Sequence, residues 1–133
     1  MKRVMQTKFG GKEGNCWAAC IASILELNIE EVPNFCAGED IDGKPCDPNQ
    51  WFNMTINWLK RRGYTMIFFL KPNIFRPDAF HIISGRSPRG AYDHCVVAYG
   101  MEMRHDPHPS GDFLACKTED IADSILIMKQ RVI

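Results

Sequence analysis

The chain has no apolar run long enough to cross a membrane: nothing in its 133 residues approaches the roughly 18 consecutive apolar residues of a spanning helix. Met1 to Gly10 opens with Lys2 and Arg3 but has no apolar stretch behind them, so it does not read as a secretory signal. Net charge is missing as well, because 16 Lys and Arg cancel 16 Asp and Glu. That balance argues against generic nucleic-acid or membrane-surface binding. The six cysteines (16, 20, 36, 46, 95 and 116) include no pair with the two-residue gap of a zinc knuckle. Cys36 and Cys46 with His81 or Cys116 make only a weak metal set, and neither a metal nor an organic cofactor is expected. Without an export signal the thiols are expected to be reduced and the protein cytoplasmic. Repeats, linkers and low-complexity tracts are also absent, so residues 1–133 read as a single domain of ordinary globular composition, 45% hydrophobic and 24% charged.

What is present centres on Gly14-Asn15-Cys16-Trp17-Ala18-Ala19-Cys20-Ile21-Ala22-Ser23-Ile24-Leu25. Asn15 is a candidate N-cap, and the small and apolar residues after it predict a helix from about Cys16 to Leu27, buried on most sides. Cys16 then stands in the first turn, where unpaired N–H groups and the helix dipole favour a thiolate. A further turn at Ile29 to Val32 is stopped by Pro33, and Asn34 to Asn49, rich in Gly and Pro, reads as a long loop. Pro48 opens a second helix, about Asn49 to Arg62, with Trp51, Thr55, Trp58 and Leu59 at helical spacing. Lys60-Arg61-Arg62 and Gly63 close it. Strand-like runs follow at Tyr64 to Leu70, Phe80 to Ser84, Tyr92 to Tyr99, Glu102 to Asp106 and Ile125 to Arg131. Helices first and strands after predict an α+β fold, two helices packed on an antiparallel sheet.

A thiol nucleophile needs a base beside it and a group that orients the base. His94 opens the run His94-Cys95-Val96-Val97-Ala98-Tyr99, whose alternation sets His94, Val96 and Ala98 on one face. Asp106 comes twelve residues later. A reversal centred on Gly100 would oppose residues 94 and 106, with Cβ atoms about 5 Å apart. A plain two-residue turn at Gly100-Met101 would instead oppose Asp106 to Cys95, on the wrong face. The triad therefore requires a three-residue turn or a bulge. Plainer roles weigh against each residue. Cys16 also reads as a packed small hydrophobe, as Cys20 does one turn deeper, and His94 as a strand-end histidine. Asp106 before Pro107 is an ordinary turn-former, Asp93 faces away from His94, and His105 and His108 read as surface or supporting residues.

Asn15-Cys16-Trp17-Ala18 resembles the nucleophile segment of papain-like cysteine peptidases. Extended to Ala22, it is similar to the start of the bacteriocin-processing, double-glycine peptidases, and His94-Cys95-Val96-Val97 and Asp106-Pro107 resemble that group's later motifs, a His that opens a hydrophobic strand and an Asp-Pro at the end of the next. Ser87-Pro88-Arg89-Gly90 before the histidine strand resembles small uncharacterised papain-like proteins of bacteriophages. The resemblance implies a papain-like fold and amide cleavage through Cys16, His94 and Asp106, with Gln6 as the oxyanion-hole residue. Gln6 stands ten residues before the cysteine, further than is usual for that group, with Gly10-Gly11 between them to absorb the excess. Trp17 and Arg89 are the candidate substrate contacts; Arg89 would hold a carboxylate or face solvent. The implied partner is a peptide or protein substrate, in the host cytoplasm if the gene belongs to a phage. The same residues would serve a transglutaminase-type acyltransferase. A third class is a catalytically idle phage protein that binds and inhibits a host factor. The Asn34 to Asn49 loop and the Phe75 to Pro77 segment are candidates for shaping the cleft.

Overall fold

The computed structural model describes residues 1–70, 77–121 and 123–130. Among them, α1 (Cys16–Leu25) and α2 (Trp51–Arg61) pack on one face of a five-stranded antiparallel sheet. Its strands are β1 (Tyr64–Leu70), β2 (Phe80–Arg86), β3 (Asp93–Tyr99), β4 (Glu102–His105) and β5 (Asp123–Lys129), in the order β1-β5-β2-β3-β4. The expected α+β class is therefore what forms, with the last strand inserted between the first two. Among the described residues, no helix is long and apolar enough to cross a membrane.

Helix α1 is buried from Trp17 through Ser23. Its small residues let the backbone lie close on β3 and β2, while Ile21, Leu59, Ile82, Val97, Ile125 and Ile127 fill the space between the layers. The helix ends two residues before the predicted Leu27. Glu26 turns left-handed (φ 58°, ψ 43°), and the Leu27 N–H folds back onto the Ala22 carbonyl at 2.9 Å. Trp17 joins the two helices: its indole N–H donates to Thr55 Oγ1 at 3.0 Å, and its ring meets Trp51 edge-on at 5.2 Å. Helix α2 begins at Trp51, after a 3-10 turn at Pro48–Gln50 that the Asp47 carboxylate caps. Gly63, at φ 83°, supplies the left-handed residue after it.

The predicted loop from 34 to 49 is broken into short 3-10 turns at Phe35–Ala37 and Ile41–Gly43, with a bridge between Glu39 and Pro45. Pairing along β1 and β5 carries the terminal strand to Lys129. Arg131, its expected end, lies outside the described residues, as do residues 75 and 76 of the suggested Phe75 to Pro77 cleft segment. The run from Arg3 to Gln6 is an extended lead-in rather than a sheet strand, held by Lys2 N–H to Ser23 O at 2.9 Å and Gln6 N–H to Pro107 O at 3.0 Å.

The β3–β4 hairpin decides where Asp106 lies. Tyr99 pairs with Glu102 and Ala98 with Met103, the register of a two-residue turn; the ladder then slips so that Val97 pairs with His105. One extra residue, Arg104, is accommodated in β4 as a bulge. The bulge, not a longer turn, restores the parity. Continued by one residue, that register sets Asp106 across from Val96, so it meets His94 diagonally rather than directly.

The Trp17–Thr55 bond gives the first test. Thr55→Val keeps the side-chain shape but leaves a buried indole N–H without its acceptor. Urea unfolding should show a loss of about 1–3 kcal/mol with unchanged m. An unchanged midpoint would mean that the bond does not join the helices.

Candidate active site

Cys16 is the first residue of α1, and the first intrahelical bond runs from the Ala19 N–H to the Asn15 carbonyl at 2.9 Å. Asn15 takes the N-cap position, but its side chain makes no capping bond, contrary to the sequence expectation. The amide is used elsewhere. Its Oδ1 accepts the N–H groups of Thr7 and Lys8, both at 2.9 Å, and its Nδ2 donates to Thr7 Oγ1 at 3.0 Å. The first-turn N–H groups, that of Cys16 among them, therefore have no side-chain cap and are left for a thiolate or an incoming oxyanion.

The Asn15 N–H also donates to the Lys8 carbonyl at 3.1 Å, which brings residue 8 back beside residue 15. Residues 9–14 are looped out between them. Gly10 turns at φ 96°, and a Cβ on Gly14 would stand 2.4 Å from the Gly10 carbonyl oxygen, so the loop closes this tightly only with glycine there. That excursion accounts for the ten-residue gap between Gln6 and Cys16. Gln6 is buried, with Nε2 donating to Lys8 O at 2.9 Å and its backbone N–H to Pro107 O. It thereby bridges the segment held against Asn15 and the segment carrying Asp106. One Nε2 hydrogen remains, and Gln6 Oε1 has no partner.

The His94 Nε2–H donates to Asp106 Oδ1 at 2.7 Å, and both side chains are almost fully buried. Asp106 Oδ1 also accepts the His108 N–H at 3.0 Å, and Oδ2 accepts the Phe113 N–H at 2.9 Å. Burial alone would raise the Asp106 pKa; the His94 bond and these two amides outweigh it and hold the carboxyl below its usual range. With Nε2 committed to Asp106, Nδ1 is the His94 nitrogen left to act on Cys16. Burial opposes the charged imidazole, but the bonds to Asp106 and Cys16 lift it to about 9. Cys16 is lowered to about 5, by a hydrogen bond from the Cys95 side chain first and then, against burial, by the bond and charge of His94. The Cys95 backbone is the smallest of the influences that lower it. Both shifts run in the direction that favours thiolate and imidazolium.

The other candidates fall as follows. Trp17 is 3% exposed and committed to the core, so it offers a substrate almost no surface. Arg89 stands on the rim, its Nη1 donating to Ser110 Oγ at 2.9 Å. Ser110 Oγ in turn bonds His108 Nδ1 at 2.9 Å, and the His108 ring lies edge-on to His94 at 6.3 Å. Burial and the nearby Arg89 charge keep the His108 pKa low. His105 ties the N-terminal segment down, with Nε2 against the Val4 carbonyl at 2.8 Å. Cys20 is fully buried, and burial pushes its pKa up. Cys46 stands apart among acidic neighbours, and among the described residues no three His, Cys, Asp or Glu side chains are grouped to hold a metal.

Sequence reasoning missed Cys95, because strict alternation assigns it to the α1 face and His94 to the other. Cys16, at the helix end, reaches both. It also missed the Asn15 clamp; the signal available was the Thr7-Lys8 pair upstream, which offers consecutive N–H groups and a hydroxyl. Compared with known families, curated proteins and solved structures, the chain matches none.

The shifted groups imply a pH signature. Cys16 is depressed from 9.0, so its contribution to stability is lost as pH falls toward about 5. His94 is raised from 6.5, so its contribution is present below 6.5 and lost as pH rises through about 9. The two slopes oppose each other between 6.5 and 9, and only the thiol slope acts between 5 and 6.5. Unfolding free energy should therefore fall from pH 6.5 to 5, less steeply in Cys16→Ala; equal slopes would remove the thiolate from the folded state. Asp106→Asn should move the His94 midpoint down from about 9 when the ring is followed by NMR. An unmoved midpoint would show that Asp106 does not hold the imidazolium.

Proposed function

We propose that the protein is a papain-like cysteine hydrolase that cleaves an amide bond, peptide or isopeptide, through a thioester acyl-enzyme. The single observation behind this reading is the buried His94–Asp106 bond at 2.7 Å, whose imidazole lowers the pKa of the helix-start Cys16. Ion pairs are common, but a thiolate at a half-buried helix start, facing an imidazolium that a carboxylate orients, is an arrangement with a clear chemical use.

The thiolate of Cys16 attacks the substrate carbonyl carbon. The carbonyl oxygen takes the negative charge and receives the Cys16 backbone N–H and the remaining Gln6 Nε2 hydrogen. His94 donates its Nδ1 proton to the leaving amine as the carbon–nitrogen bond breaks, and the thioester remains on Cys16. Neutral His94 then takes a proton from water, hydroxide attacks the thioester, and Cys16 leaves as thiolate. Asp106 keeps Nε2 protonated throughout and does not itself take the proton. Arg89, with Ser110 and His108 beside it on the rim, would receive an anionic group of the substrate. If an amine replaces water in the second half, the product is a new amide, which is the transglutaminase-type outcome.

On a panel of peptide and isopeptide substrates, Cys16→Ala and His94→Ala should each lower kcat by about 10⁴-fold or more, with circular dichroism unchanged. Substantial turnover in either variant would remove that residue from the mechanism. Product analysis with an added primary amine separates hydrolysis from acyl transfer.

A further inference from the structure

A cavity of about 730 Å³ reaches to Asn15, the residue before the nucleophile, and has no part in the mechanism above. Thr7 and Lys8, whose main-chain N–H groups the Asn15 side chain holds, line it as well. The rest of the lining comes from residues 29–34, the 39–43 turn and the end of α2. Ile29, Val32, Pro33 and Trp58 give it apolar surface, and much of the remainder is charged. Carboxylates outnumber cations there by five to three. Two of the cations are already engaged. Lys8 Nζ pairs with Glu39 at 3.2 Å, and the Arg62 guanidinium lies 4.6 Å from the centre of the Trp58 ring.

An excess of carboxylates alone names no ligand, but Asn34 in the same lining points to one independently. It is 4% exposed, and its Nδ2 donates to the Glu13 carbonyl at 3.0 Å. That bond sets the amide's orientation and leaves Oδ1 buried without a partner. A buried acceptor is costly to leave unmet, and what it lacks is a donor. An acidic wall favours a positive charge. Both observations therefore call for a cation rich in N–H groups. A metal ion does not answer them, since among the described residues no three His, Cys, Asp or Glu side chains are grouped to hold one. An arginine or lysine side chain does. Its methylene stem packs on apolar surface while its head stays among acceptors and charges.

We propose that this cavity takes the side chain of an arginine or lysine next to the amide that is cleaved, with Asn34 Oδ1 and the surrounding carboxylates receiving its head. That the neighbouring amide is cleaved rests on the proposed hydrolase; the cation's place in the cavity does not. Asn15 belongs both to the cavity lining and to the start of α1, so a side chain bound here keeps its own backbone near Cys16. A neutral side chain of equal length would fill the same volume but leave Asn34 and the carboxylates unanswered, and that difference is the source of selectivity.

The test follows isotope-labelled protein by NMR during titration with Nα-acetyl-arginine amide, Nα-acetyl-lysine amide and Nα-acetyl-citrulline amide, the last a neutral copy of the arginine shape. A cationic probe should shift the Asn34 side-chain amide and the Thr7 and Lys8 main-chain signals to saturation, and citrulline should bind at least about tenfold more weakly. Glu30 and Asp42 are both exposed, so Glu30→Gln with Asp42→Asn removes charge without touching the core and should weaken the cation about fivefold. Asn34→Leu keeps the approximate shape, removes the acceptor and should cost about tenfold or more. Equal binding of citrulline and arginine would overturn the inference, as would shifts confined to residues outside the cavity or no response to any probe. The same three side chains, placed on either side of the cleaved bond in peptide substrates, separate the two proposals. Cleavage that prefers the cations supports both. Cleavage with no preference removes the cation site and leaves the hydrolase, whereas cation binding at Asn34 with no cleavage leaves the cation site and removes the hydrolase.

Discussion

The carboxylate of Asp106 is the point on which the site is assembled. It accepts the His94 ring N–H and the main-chain N–H groups of His108 and Phe113, so one buried charge ties β3, the end of β4 and the turn after it. Burying a lone carboxylate would cost several kcal/mol, and it is the three donors together that make the position tenable. The same bonds decide the chemistry. A carboxylate kept ionised beside Nε2 stabilises the imidazolium, and the imidazolium stabilises the thiolate. The Cys16 state therefore depends on amides that never touch it.

A second constraint is the closeness of α1 to the sheet. Ala18, Ala19, Cys20 and Ala22 are all almost fully buried, and a larger residue at any of them would push the helix off β3. This fixes Cys16 along the direction that matters, toward His94 and Cys95. The Asn15 clamp and the looped-out residues 9–14 fix Gln6 from the other side. Rigid packing below and a stitched loop above are what the proposed nucleophile would require.

Local patterns were the legible part of the sequence. The α+β class, the starts of both helices and the approximate strands follow from periodicity, glycine and proline, which act over a few residues. The insertion of β5 between β1 and β2 was not legible, because pairing across that distance leaves no short-range mark. The hairpin lay between these cases. Arithmetic showed that a two-residue turn could not serve the triad without a bulge, but nothing in Glu102-Met103-Arg104-His105 said where the bulge would be. Asn15 was misjudged because a helix-start asparagine usually caps, and here the stronger demand came from Thr7 and Lys8. The influence of Cys95 on Cys16 was not legible, because alternation turns Cys95 and His94 to opposite faces of β3 and no local pattern shows that one helix end responds to both.

The central claim is that Cys16 rests as a thiolate because His94 is charged. Iodoacetamide labelling measured residue by residue against pH, in the wild type and in His94→Ala, tests it directly. Cys16 alone, of six cysteines, should label at its full rate from pH values not far above 5, and His94→Ala should move that onset toward the ordinary thiol value of 9.0. Labelling of Cys16 no faster at pH 6 than that of the other five, or an onset unmoved by His94→Ala, would contradict the account.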